Sequence, residues 1–326
     1  MTPELRREAL TKVMDLLDAH YVFPEVAAAI RRKLEGRMAE GAYDGAETTE
    51  AFCQAVTDDL QAVSHDKHVR LRRRDPSRSL GGPGAGDRAD FQLRRQHQNH
   101  AFAKVERLEG NVGYLDLRGF EHPGTAAGQT AVAAMQFLAN SSAVIFDLRK
   151  CPGGSPGMVS LLISYLVGEW PEHLNTFYNR DGEAAFQNWT MSWVPGRRLT
   201  DVPVYVLTSD YTFSAAEEFT YNLKNMKRAT IVGEKTGGGA NPGGNRPVVE
   251  DLELFVPEGR AYNPITKDNW EGKGIEPDIA VPAEQALNAA YAEALKKVAE
   301  NARTQQGGAW EALAQEAEGA LAKLGR

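Results

Sequence analysis

With 326 residues, 42% of them hydrophobic and 25% charged, the chain has an ordinary globular composition and is long enough for a sizeable core in two domains. A formal charge of −7 counts against a general nucleic-acid binder, and two cysteines, Cys53 and Cys151, are too few for a disulfide framework and lack metal-binding spacing. No apolar run reaches membrane-span length, and MTPELRREALTKVMDLLDAH has no uninterrupted apolar signal core, so a cytoplasmic location without a membrane partner is expected.

Leu5, Ala9, Leu10, Val13, Leu16 and Leu17 recur at helical spacing and predict a first helix ending near Tyr21-Val22-Phe23-Pro24. Pro24 opens a second helix over about 25–38. A third spans about 48–63, with Phe52, Val56 and Leu60 on one side. Residues 1–70 therefore read as a small helical bundle. Residues 71–101, rich in Arg, Gly, Pro, Gln and His, read as a linker or flap. The basic run VRLRRRDPSR at its start is read as a solvated loop.

From 102 to 326 strands alternate with helices. FAKVERLEG and NVGYLDLRGF form a hairpin with Gly110-Asn111 at its turn, and residues 125–140 form a helix. SAVIFDLR is a buried strand that ends in KCPGGSPG, and residues 157–167 are helical. VPVYVLTS is a second buried strand, leading through Asp210-Tyr211-Thr212 to a helix that begins at Ser214. ATIVGE, the glycine-rich TGGGANPGGN, strands near 245–256 and a helical stretch from about 283 complete the chain. This order indicates an α/β domain.

Ser214-Ala-Ala-Glu217 fits a capping box, in which a serine merely starts a helix. The same position follows the carboxyl end of a strand, where active sites of open α/β sheets gather. If the two strand-end turns meet, N–H groups of Gly153 or Gly154 and of Ala215 form an oxyanion hole for a carbonyl attacked by Ser214. Each such donor contributes roughly 3 kcal/mol to the transition state. A hydroxyl nucleophile needs a base, and His65 and His68, in VSHDKHVRL, are the candidates. No second ligand cluster accompanies their spacing around Asp66, so no metal is assigned, and no cofactor is expected. The acid that would orient the base is open among Glu217, Glu218, Asp210, Glu271, Glu276 and Asp278.

Together these segments resemble peptidase family S41, the carboxyl-terminal processing and tricorn-type proteases, in the branch that includes interphotoreceptor retinoid-binding protein modules. LDAHYVFPEVAAAI and DDLQAVSHDKHVRL resemble that branch's N-terminal helical domain. GNVGYLDLRGF, VIFDLRKCPGG, SAAEEFTYNLKNMKRATIVGEKTGGGANP and NPITKDNWEGKGIEPDIAV resemble its catalytic domain. The resemblance implies a ClpP/crotonase-like α/β domain behind a small helical bundle, without a PDZ domain. Family members with a Ser–Lys dyad carry the lysine where this chain has a glycine, near Gly239, and Lys235 falls four residues early. The tricorn-like style fits instead, with Ser214 as nucleophile, His68 of Asp66-Lys67-His68 as base and Glu271 of NWEG as the distal acid. Ser64-His65 remains the alternative alignment for the base.

The resemblance implies a serine hydrolase of S41 peptidase type, cleaving a peptide amide or a small-molecule amide or ester through an acyl-enzyme. Phe186, Trp189, Trp193 and Trp270 are candidate lining for an apolar substrate pocket. The competing reading is a non-catalytic module for a hydrophobic, retinoid-like ligand.

Overall fold

A computed structural model describes residues 1–74, 85–124 and 126–324 of the chain, with the backbone alone over 85–89. The elements in chain order are α1 (Pro3–His20), α2 (Pro24–Ala39), α3 (Thr49–Ser64), β1 (Arg70–Arg73), α4 (Ala85–His97), β2 (Phe102–Leu108), β3 (Val112–Leu117), α5 (Ala126–Leu138), β4 (Ala143–Asp147) and α6 (Pro156–Ser164). They continue with β5 (His173–Asn179), β6 (Ala184–Trp189), β7 (Val204–Thr208), α7 (Ala215–Asn225), β8 (Thr230–Gly233), β9 (Gly243–Pro247), β10 (Leu252–Pro257), β11 (Gly259–Tyr262), β12 (Ile279–Ala280), α8 (Ala286–Arg303) and α9 (Gly308–Leu324). Within the 71–101 segment expected to be a linker or flap, residues 75–84 lie outside the described residues and 85–97 are a helix. Residues 71–73 complete a strand begun at Arg70, so the basic run VRLRRRDPSR opens as a paired strand and not as a solvated loop. The polar sequence AGDRADFQLRRQH gave no apolar period to announce that helix. The C-terminal helical stretch is two helices, because Gly307 takes φ 121° between them. Among the described residues no helix is long and apolar enough to cross a membrane.

The chain forms two compact units. The first gathers residues 1–93, 176–187 and 239–262. Thr2 caps α1 by accepting the Leu5 N–H at 3.2 Å, and Pro3 sits in the first turn, where its missing N–H costs nothing. Leu10, Val13, Leu17, Ile30, Leu34, Phe52, Val56 and Leu60 of the three helices share one core with Leu252, Leu254 and Val256 of β10. The antiparallel sheet β1-β10-β9 supplies that face, with Leu71 opposite Leu254. Strands β11, β5 and β6 form a further three-stranded sheet.

The second unit holds residues 94–175, 188–238 and 263–326. Its six-stranded sheet has the order β12-β8-β7-β4-β3-β2, parallel except for the β2–β3 hairpin. Alternation along the strands divides the side chains between two cores. Leu115, Leu117, Val144, Phe146, Val206 and Ile231 pack with residues of α5, α6 and α7 on one face. Tyr114, Ile145, Tyr205, Leu207 and Val232 pack with α8 and α9 on the other. The central strands β4 and β7 are neighbours, so the turns after them emerge side by side.

Candidate active site

The two turns do meet. Beyond β4, Leu148 and Cys151 accept bonds from the turn beyond β7: Thr212 Oγ1 donates to the Leu148 carbonyl at 2.9 Å, and the Phe213 N–H to the Cys151 carbonyl at 3.2 Å. The Ser209 hydroxyl adds a bond to the Arg149 carbonyl at 2.7 Å. Gly153, at φ 105°, lies so close that a Cβ there would sit 2.7 Å from Ala215 N, Phe213 O and Ser214 Cβ. Gly154, at φ 144°, bridges to Phe120, whose carbonyl would be 2.1 Å from an added Cβ. Both glycines are therefore required by close backbone approach. Burial pushes the Cys151 thiol up to about 12, with a Gly153 N–H directed at it pulling the other way. Among the described residues, the N–H groups of Gly154 and Ala215 donate to no other backbone group.

Ser214 stands at the N-cap of α7 with φ 55° and ψ −122°. An ordinary N-cap lies in the extended region, and a non-glycine residue in this conformation costs about 1–3 kcal/mol. The Ser214 N–H donates to Glu217 Oε2 at 3.0 Å, the glutamate half of the capping box. Glu217, fully buried, is held by more than that bond. Its Oε1 accepts the Thr236 hydroxyl at 2.5 Å and the Gly238 N–H at 2.7 Å. The Gly238 carbonyl in turn accepts the Gly272 N–H at 3.0 Å. Glu217 is thus a clamp between the serine's backbone and the glycine loop, and that loop holds the turn carrying Glu271. Glu271 is half-buried, its N–H bonded to Asn269 Oδ1 at 2.9 Å.

His68 belongs to the first unit, where it is buried. Its Nδ1 lies 3.5 Å from Asp66 Oδ1, which also accepts the His68 N–H at 2.8 Å. The ring stacks on Phe255 with centroids 5.4 Å apart. Asn241 Nδ2 holds the other Asp66 oxygen at 3.0 Å. His65 is the exposed C-cap of α3 at φ 54°. Asp66 and Asn241 are candidate site residues to which the sequence alone assigns no role of their own. Asp66 had a local signal in the Asp-x-His turn, whereas Asn241 lies 175 positions from it and had none.

The remaining acids have other work. Asp210 is exposed, Glu276 pairs with Lys235 at 2.7 Å, and Asp278 pairs with Lys224 at 2.6 Å while accepting the Ile231 N–H at 2.8 Å. Lys235 is accordingly committed to a surface ion pair. Trp270 is buried against Tyr221, Trp189 stacks on His173, Phe186 stacks on Phe177, and Trp193 is 72% exposed. The first three of these aromatics each pack on a different ring.

A helical N-terminal region and a central α/β sheet with a serine–glycine turn at its carboxyl edge make this a ClpP/crotonase-like α/β protein. The chain belongs to peptidase family S41, whose model matches residues 111–281, just over half of it. A second model, described as the N-terminal domain of Peptidase_S41 in eukaryotic IRBP, matches residues 4–104. The chain is similar to a carboxyl-terminal-processing protease of Picosynechococcus sp., at 28% identity over 189 residues. That match covers 57% of this chain and 43% of the relative, so the chain spans less than half the length of this curated protein. Among solved structures, a lipoprotein from Streptococcus agalactiae superposes with TM-score 0.57 at 14% identity, covering 91% of this chain and 98% of that one. The tricorn protease superposes with TM-score 0.52 at 13% identity, covering 87% of this chain and 35% of that one. Both likenesses are of fold.

Proposed function

We propose that the protein is a serine hydrolase of peptidase type that cleaves a peptide amide, or a related ester or amide, through an acyl-enzyme. Ser214 is the nucleophile, His68 the base and Glu271 the acid that orients the base. Gly154 and Ala215 are the favoured oxyanion donors, because the Gly153 N–H is directed at the Cys151 sulfur. Residues 1–70 carry the base, 102–326 the nucleophile, and 71–101 join them.

The observation that carries this reading is the strained backbone of Ser214, clamped by Glu217 against a glycine turn too tight for any side chain. A serine whose only task was to cap α7 would need no strain, so the cost indicates a functional constraint. His68 is favoured over His65 because a buried imidazole beside a carboxylate has a defined orientation, as a general base requires, and an exposed helix cap has none. In the reaction Ser214 Oγ attacks the carbonyl carbon while His68 takes its proton. The carbonyl electron pair collapses back to expel the amine or alcohol, which receives that proton, and water releases the acyl group.

Covalent labelling with a fluorophosphonate tests the assignment. Wild type is expected to label, Ser214→Ala not at all, His68→Ala at least about 100-fold more slowly, and His65→Ala at close to the wild-type rate. Wild-type protein that is folded but unlabelled would overturn the hydrolase reading. A slow His65→Ala paired with a normal His68→Ala would reassign the base.

A further inference from the structure

Glu218 is buried in the second unit without a countercharge. It follows Ser214 by one helical turn, and its N–H donates to the Ser214 carbonyl at 2.9 Å. The residue is 2% exposed and its carboxyl forms no ion pair among the described residues. Two amides hold it instead: Asn175 Nδ2 of β5 donates at 3.1 Å and Asn188 Nδ2 of β6 at 2.9 Å, both to Oε1. Asn188 Nδ2 also donates to the Pro156 carbonyl at 3.0 Å. Pro156 opens α6 two residues beyond Gly154, so the cluster joins the helix of Ser214 to the helix that follows the glycine turn. One atom is left over. Asn175 Oδ1 is buried and receives no donor. An orphaned buried acceptor costs about 1–3 kcal/mol, and a proton on Glu218 Oε2 is the donor that would satisfy it.

We infer that Glu218 is a positioning residue that works as the neutral acid, its Oε2–H bonded to Asn175 Oδ1, and that this acid–amide pair holds Ser214 in register with the Gly153–Gly154 turn. Burial pushes its carboxyl up to about 7, against the opposing pull of the Asn188 and Asn175 hydrogen bonds. The surrounding ionisable groups have other partners. Glu217 faces Thr236 and Gly238, Tyr221 donates to Thr266 at 3.0 Å, and His173 on β5 stacks on Trp189 at 4.4 Å. α6, β6 and β8 contain no ionisable side chain.

The protonation state is independent of the proposed hydrolase activity, whereas the positioning role rests on it, and the test separates them. Because the folded carboxyl titrates above its ordinary 4.5, its contribution to stability is complete below that value and is lost as pH rises through about 7. Glu218→Gln reproduces the neutral acid, accepting through its carbonyl and donating through its N–H. The expected result is that wild-type Tm falls relative to Glu218→Gln between pH 4.5 and 7 and then runs parallel to it. A difference infrared spectrum at pH 6 should show a protonated-carboxyl C=O stretch in wild type that Glu218→Gln lacks. Fluorophosphonate labelling of wild type should fall on the order of tenfold from pH 7 to 9, and Glu218→Gln should keep its alkaline rate. A pH-independent Tm gap without the infrared band would overturn the neutral acid. An unchanged alkaline fall in Glu218→Gln would overturn the positioning role. Wild type unlabelled at every pH would remove the hydrolase reading and the positioning role together, while Tm and the infrared band would still decide the proton.

Discussion

Ser214 concentrates two local costs, a left-handed φ on a residue with a side chain and a close approach to Gly153. Strain of this kind persists only where the surroundings over-determine it. Here three bonds to Glu217, from Ser214 N–H, Thr236 and Gly238 N–H, supply that constraint. Ser214→Gly should therefore be more stable than Ser214→Ala by about 1 kcal/mol in urea denaturation, although neither variant reacts with a fluorophosphonate. Equal stabilities would show that the backbone relaxes once the hydroxyl is gone. The motif Ser-Ala-Ala-Glu was legible as a cap or as a nucleophile. Its dihedral angles were not, because they follow from where the glycine turn presses.

Strand β4 shows how an element places a site. Its alternation serves both sheet faces, and its last residue, Asp147, is buried beside the turn that leads to Gly153. Burial opposes the Asp147 charge, but bonds from Arg149 at 2.5 Å and Tyr114 at 2.7 Å outweigh it and hold the carboxyl below its ordinary 3.8. That stabilisation is present above the ordinary value and is lost as pH falls through the lowered one. Removing the cation would leave a buried charge uncompensated. Arg149→Met should cost about 3–5 kcal/mol and raise the pH midpoint of acid unfolding, read by circular dichroism. An unchanged midpoint would mean that Tyr114 alone suffices. Strand β6 had no sequence signal because it is largely exposed and lacks apolar alternation, and β5 had none because its buried run includes the polar Asn175 and Thr176.

Across the whole molecule the chain enters the first unit three times. The helical core of α1–α3 is completed by Leu252, Leu254 and Val256, nearly two hundred residues downstream of α3. Residues 1–70 alone should consequently lack that apolar face and fail to melt cooperatively, whereas a fusion that restores 239–262 should recover a sigmoidal transition. Cooperative unfolding of the short fragment by calorimetry would refute this.

The amino-acid sequence by itself determined the three N-terminal helices, the buried strands β4 and β7, the glycine turn, the serine at a helix start and the family resemblance. Those features are written in periods and turns a few residues long. The tertiary structure decided that β4 and β7 are neighbours and that Asp66, itself bonded by Asn241, holds His68. It likewise decided that Glu217 is a clamp and that Glu218 is bound by amides from two distant strands. Strand order and burial set these partners, and neither is encoded in any local period.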